Sequence, residues 1–267
     1  MDTLGFFATH PVFTYDEFVA EHRRRGGRPT STPLNLLAHH VAVGRVVHVR
    51  RGLYATIPAG VSPTDVRVDP YLLATRLAPD ATVAYHAALQ FRGKAYSVWQ
   101  RFHFLTQTRS NGFTHRDIEF VPVPMPGVLR KLPHAGGGVV EEPYAGGVVR
   151  VTAFERTLVD VLDAPALGGG WEEIWRSLEM VDFFDLDAVV EQALQRESAL
   201  LAARVGFYLE QHREALMVED HHLAALREHA PAQKRYLGPD REAGRVVKGW
   251  NLVVPERVLN RSWSEVA

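Results

Sequence analysis

The spacing of apolar positions changes along the chain, and each change marks an element. In FTYDEFVAEHRRRGG, Thr14 and Glu17 stand at capping-box spacing, Phe18 and Val19 supply apolar contacts, and Gly26-Gly27 closes the run, which predicts a helix. In PTSTPLNLLAHHVAVG, Thr32 is a cap, Pro33 suits the first helical position and Gly44 ends a second helix. Leu34, Leu37, Ala38 and Val41 fall on one face of it; Asn35 and His39 point away, with Leu36 near the outward side. The period then drops to two. Val47 and Val49 alternate with His48 and Arg50, and Leu53, Ala55 and Ile57 alternate with Tyr54 and Thr56, predicting a hairpin turned at Gly52. Helix, helix and basic-tipped hairpin is the order of a winged helix-turn-helix. There the second helix enters the major groove and the hairpin lies against phosphates. An ordinary hairpin with a solvated charged turn is the plainer alternative for Arg50-Arg51.

Residues 58–69, PAGVSPTDVRVD, read as a linker. Beyond them the pattern is mixed. DPYLLATRLAPDATVAYHAALQFRG predicts two short helices, the first starting near Asp69-Pro70. RFHFLTQT and DIEFVPVP alternate as strands, and GGVVEEP with GGVVRVT reads as a hairpin. Gly136 to Gly138 suit a loop tip, since no Gly-Lys-Ser/Thr follows to make a phosphate cradle. From Thr152 the period is helical. Thr152 and Glu155 have capping-box spacing, and Phe154, Leu158, Val161 and Leu162 share a face. Further helical runs follow to about residue 232, and the tail GRVVKGWNLVVPERVL has a strand-like core expected to join the sheet. The expected fold is therefore α+β: an N-terminal winged helix-turn-helix, residues 1–60, then a mixed sheet-and-helix region, 65–267. That region divides into strand-rich 65–151, mainly helical 152–232 and an extended tail 233–267.

Charge sharpens this division. Residues 1–60 hold seven Arg against four acids, net +3, while the whole 267-residue chain carries −1, leaving −4 for the remainder. A basic end on an acidic body suggests different partners for the two parts. Hydrophobic residues at 46% are enough for a real core, and the absence of cysteine excludes disulfides and thiolate-ligated zinc. No signal-peptide pattern or membrane-length apolar run occurs, so a soluble cytoplasmic protein is expected.

Catalytic chemistry finds little support. Among thirteen histidines, His39-His40 and His221-His222 are adjacent pairs whose side chains diverge by about 100° on a helix, a poor arrangement for one metal. There is no His-Glu-x-x-His. His86 suits packing or capping. Asp117 and Glu119 offer two strand carboxylates but no nearby lysine for a nuclease centre. Glu155, Arg156, Asp160 and Asp163 read as a charged helix surface with local ion pairs. No serine elbow, kinase motif or dinucleotide fingerprint is present. The expectation is no enzyme, no cofactor and no metal.

The FTYDEF helix, the helix ending at Gly44, VVHVRRGLYATIP, VTAFERTLVDVLDAPALGGGWEEIWRSLE and AARVGFYLE together resemble AbiEi-type antitoxins of type IV toxin–antitoxin, or abortive-infection, systems. The resemblance spans most of the chain and is most specific in the wing and the ERTLVDVLD helix. It implies a winged-helix repressor of its own promoter whose C-terminal region antagonises a co-encoded nucleotidyltransferase toxin, as a functional rather than a stable physical partner. The residues expected at double-stranded DNA are Arg23, Arg24, Arg25, Arg28, Ser31, Thr32, Asn35, His39, Arg45, Arg50 and Arg51. The second helix carries no Arg or Lys, so direct guanine reading by arginine is unavailable to it. Two alternatives stand beside this: a nuclease or other nucleic-acid-modifying enzyme docked by the winged helix, and a protein-interaction module.

Overall fold

The computed structural model describes residues 3–24 and 32–263. The chain begins with α1 (Thr3–Thr9), β1 (Val12–Thr14), α2 (Tyr15–Arg24) and α3 (Pro33–Ala42), followed by the hairpin β2 (Val46–Arg50) and β3 (Leu53–Thr56). The cap of α2 forms as its sequence predicts: Glu17 N donates to Thr14 Oγ1 at 3.2 Å, and Thr14 N donates to Glu17 Oε2 at 2.6 Å. Thr32 caps α3 by accepting from Asn35 N at 3.3 Å. The hairpin turns through Arg51-Gly52, where Gly52 holds φ +74° at no steric cost. β3 lies between β1 and β2, antiparallel to both. α1 and β1 are additions that the hydrophobic pattern did not disclose. A seven-residue helix containing Gly5 has little intrinsic stability. Its burial of Phe6 and Phe7 beside Phe13, Phe18, Leu37 and Val46 holds it in place.

The inner face of α3 is not the one its periodicity suggests. Leu37 is 1% exposed and Leu36 is half-buried, whereas Leu34 is 56% exposed and Val41 also reaches the surface. The remaining inward position is His40, whose ring meets Phe7 edge-on at 4.8 Å. A histidine in a core slot disguises that stripe, so of the predicted face Leu34, Leu37, Ala38 and Val41 only Leu37 turns inward.

Next come α4 (Pro70–Ala74), β4 (Thr82–Val83), α5 (His86–Phe91), β5 (Arg101–Thr106), β6 (Phe113–His115), β7 (Ile118–Pro124), α6 (Gly127–Arg130), β8 (Val139–Tyr144) and β9 (Gly147–Thr152). Their strands form one six-stranded sheet in the order β6-β7-β5-β4-β9-β8. β5 is parallel to β7 and β4 to β9, while β4 and β5 are antiparallel. Central β5 is buried on both faces. Phe102 and Phe104 join Val12, Leu53, Ala55, Leu72 and Leu73 in one cluster, and Leu105 joins the helical core on the other side. The N-terminal sheet therefore shares a core with the larger one. The expected linker is a pinned strap: Arg116 Nη2 donates to Thr64 O at 2.9 Å, Val66 is buried, and Asp69 caps α4 by accepting from Tyr71 N and Leu72 N.

The helical part comprises α7 (Phe154–Asp163), α8 (Trp171–Glu179), α9 (Leu186–Leu194), α10 (Ala199–Gln211) and α11 (Asp220–Glu228). Two sequence readings of α7 are corrected here. Thr152 ends β9 and shares a hydrogen bond with Thr157 Oγ1 at 2.7 Å, while Glu155 Oε1 accepts from Asp185 N, so no capping box forms. Nor are Arg156 and Asp160 a solvated surface. They are 0% and 1% exposed, and buried Arg196, just beyond α9, completes the group. Arg196 Nη2 bonds Asp160 Oδ1, and Arg156 Nε lies 3.6 Å from Asp160 Oδ2. Arg156 Nη1 also donates to Ala135 O and Gly137 O, fastening the glycine-rich loop before β8.

The tail forms β10 (Arg235–Tyr236), β11 (Arg245–Val247), β12 (Leu252–Val254) and α12 (Glu256–Leu259). It does not extend the six-stranded sheet. It makes its own, in the order β10-β12-β11, anchored by buried Trp250, whose Nε1 donates to Glu210 Oε2 at 2.8 Å. No helix among the described residues is long and apolar enough to cross a membrane.

One buried group on β5 makes the fold acid-sensitive. His103 is 3% exposed, and its Nδ1 has no hydrogen-bond partner. Burial, then the nearby Arg101 and His86, push its pKa down to about 4. The unfolded chain takes up this proton near pH ~6.5, so His103 favours the fold above that pH and the contribution is lost as pH falls towards about 4. Urea titrations at pH 7 and pH 5 are expected to differ by on the order of 2 kcal/mol from this group. His103→Gln should remove that part of the difference; an unchanged difference would show that His103 is not the group responsible.

Candidate nucleic-acid interface

The residues expected at DNA sort into three groups. Arg25, Arg28 and Ser31 lie outside the described residues. Arg23 and Arg24 end α2 at the surface, with Arg24 paired to Glu21 at 2.9 Å. Thr32, Asn35 and His39 are exposed along α3, and exposed Arg45 follows it. These residues present an outward α3 with cations at its end and on the preceding helix. The Thr32 hydroxyl is occupied by its capping bond, and so acts on the helix first.

The β2–β3 hairpin divides its two arginines. Arg51 is exposed at the tip. Arg50 turns the other way: its Nη2 donates to Leu77 O at 2.8 Å, and its guanidinium lies over the Phe113 ring at 5.1 Å from the centroid. Burial lowers its pKa, which remains far above neutral for a guanidinium. Of the two arginines expected at phosphate, Arg51 is therefore the one exposed at the tip, while Arg50 ties the hairpin to β6 and to the segment before β4. Alternation along β2 points Arg50 away from Val49, but a bulge between His48 and Arg50 breaks that register. Neither this bulge nor the Leu77 carbonyl was visible in the local pattern.

Other clusters of polar side chains have structural partners. Glu119 pairs with Arg101 at 3.0 Å, and Asp117 sits in the exposed turn between β6 and β7. His86 is stacked on Trp99 at 4.2 Å and bonded to Glu173 at 2.9 Å, which also accepts from Ser97 and Ser177. His221 and His222, expected to diverge, both come within 3.3 Å of Asp187. Their hydrogen bonds oppose a metal there. Glu219 N donates to His222 Nδ1 at 3.1 Å, which places the ring proton on Nε2, the atom that faces Asp187. A cation would need that lone pair and would cost α11 its cap.

The fold is mixed α+β. No family model matches the sequence, and no curated protein matches it. The chain is similar in structure to the RV2827C protein of Mycobacterium tuberculosis, solved by crystallography. The TM-score is 0.58 at 17% identity, covering 96% of this chain and 91% of that one. At that identity the likeness concerns the fold, and it extends over nearly the whole chain.

Proposed function

We propose that this chain is a DNA-binding transcriptional autorepressor and antitoxin, without catalysis of its own. The unit formed by α1, β1, α2, α3 and the β2–β3 hairpin is read as a winged helix-turn-helix docking on its own promoter. The larger region is read as the part that antagonises a co-encoded nucleotidyltransferase toxin, in keeping with the resemblance to AbiEi-type antitoxins. The observation that carries the DNA reading is the partition of α3. Leu37 and His40 face the core while Asn35 and His39 face outwards, with Arg45 at the helix end and Arg51 at the tip of the following hairpin. Polar groups outward on one helix, with exposed cations after it and on the following hairpin, support that reading.

Each phosphate contact contributes about 0.9 to the slope of log affinity against log salt. Arg51→Ala is therefore expected to flatten the slope by about one unit on any duplex. Arg50→Ala should leave it unchanged, because its guanidinium is held by Leu77 O and Phe113. Titrations of the full chain on its upstream DNA and on an unrelated duplex, at several salt concentrations, check this. A slope indifferent to Arg51→Ala would remove the wing from the interface, and no salt-dependent binding to either duplex would end the DNA reading.

A further inference from the structure

The outward face of α3 has a composition that narrows what it can read. At about 100° per residue, Asn35, Ala38 and Ala42 fall within about 60° of one another. This line lies opposite Leu37 and His40 and is flanked by Leu34 and His39; all five outward residues are exposed. The helix carries no guanidinium or ammonium, so the commonest contact to guanine O6 and N7 cannot be made from it. What remains is one amide, whose donor and acceptor match adenine N6 and N7, and methyl groups, which match the thymine C5-methyl. Alanine at two of the outermost positions also lets the helix backbone come close to base edges.

We propose that α3 reads A·T base pairs, with Asn35 on adenine and Ala38, Ala42 and Leu34 against thymine methyl groups. The proposal rests on the DNA-binding reading above and makes it specific. The charge distribution selects this occupant over a protein. Exposed Arg45 follows the C-terminal end of α3, exposed Arg23 lies in the last turn of the preceding helix and exposed Arg51 tips the wing, while the outward face of α3 itself carries no Arg, Lys, Asp or Glu. A neutral apolar helix with cations in the segments before and after it suits a groove floor bordered by two phosphate strands. His39, on the edge of the strip, is placed nearer the groove wall than its floor.

The test is selection of duplexes by the full chain from a random-sequence library, followed by titrations on the selected site. The selected half-site should be rich in A·T pairs. Replacing its thymines by deoxyuracil keeps pairing but removes the methyl, and should weaken binding about 4-fold for each contacted methyl, the value of one buried methylene-sized group. Asn35→Ala should cost about 10-fold or more on the selected site and under about 2-fold on random duplex. Ala38→Glu, at an exposed helical position that the fold tolerates, should abolish selection. Enrichment of G·C-rich sites, or binding indifferent to deoxyuracil, overturns this inference while leaving DNA binding intact. Unaltered duplex binding by Ala38→Glu would mean that the face is covered by a protein, a second copy included, and overturns it too. Failure to bind any duplex removes the inference together with the reading beneath it.

Discussion

Asp160→Asn is expected to destabilise the protein by about 3–5 kcal/mol, a large share of the roughly 5–15 kcal/mol that holds a typical domain folded. The substitution keeps the side-chain volume and removes one charge. That charge is the carboxylate between Arg156 and Arg196, and all three groups lie out of solvent. Without it two guanidinium groups face each other in a low-dielectric core, where neither can shed its proton at ordinary pH. The cost measures the breaking of the network, not its net contribution. Replacing Arg156 and Arg196 by Met and Asp160 by Leu together should recover much of the loss, since apolar substitutes avoid the desolvation penalty. Recovery should stay incomplete, because Arg156 also holds Ala135 O and Gly137 O. Urea unfolding of the single and triple variants decides the matter; a loss below about 1 kcal/mol for Asp160→Asn would mean that water reaches the group.

Gly206→Ala should destabilise the protein by about 2 kcal/mol even though it raises helix propensity. In an exposed helix the change gains about 1 kcal/mol. Here Gly206 lies in the middle of α10, with the outer edge of the Trp250 indole against its backbone. A Cβ would stand no farther than 2.6 Å from three ring carbons. The indole cannot give way cheaply. Its Nε1 is bonded to Glu210, Arg227 covers its ring at 4.9 Å, and the side chain is fully buried. Overpacking of this kind costs about 1–3 kcal/mol, occasionally more. Trp250→Leu should be destabilising alone yet less so in the Gly206→Ala background, a coupling that a double-mutant cycle of thermal unfolding reads directly. Additive losses would show that Gly206 and Trp250 do not share the site.

Elements whose signals are local were legible in the sequence. The Thr14–Glu17 box, Thr32-Pro33, Asp69-Pro70 and the Arg51-Gly52 turn each settle within a few residues, and each forms as its chemistry requires. Elements settled by distant partners were not. α1 depends on aromatic packing with β1 and α2, since its own seven residues are too few for a stable helix. The true inner face of α3 depends on Phe7 accepting a histidine ring. Arg156 sits in a helix that alternates charged and apolar residues as a surface helix does. Its burial is set by distant groups: the carbonyls of the loop before β8, Met125 Sδ, and Arg196, forty residues later, on the shared Asp160. The candidate site shows the same division. Asn35, His39, Arg45 and Arg51 stand outward as read, whereas Arg50 is taken by a carbonyl in another part of the chain.

The shared core beneath the hairpin bears on how such a protein measures distance. Val12, Leu53 and Ala55 are packed with Phe102 and Phe104, and the strap from 58 to 69 is fastened at Thr64, Val66 and Asp69. A reading head on a loose tether can serve half-sites at many separations by changing its reach. This head has no reach to change. If two chains bind one operator, the gap between their half-sites is dictated by how the two bodies abut, and adding one base pair, which turns a site by about 34–36° around the duplex at 10–10.5 base pairs per turn, cannot be absorbed by a swing of the N-terminal unit. Under the DNA-binding proposal, the body would then serve as a ruler for the N-terminal unit.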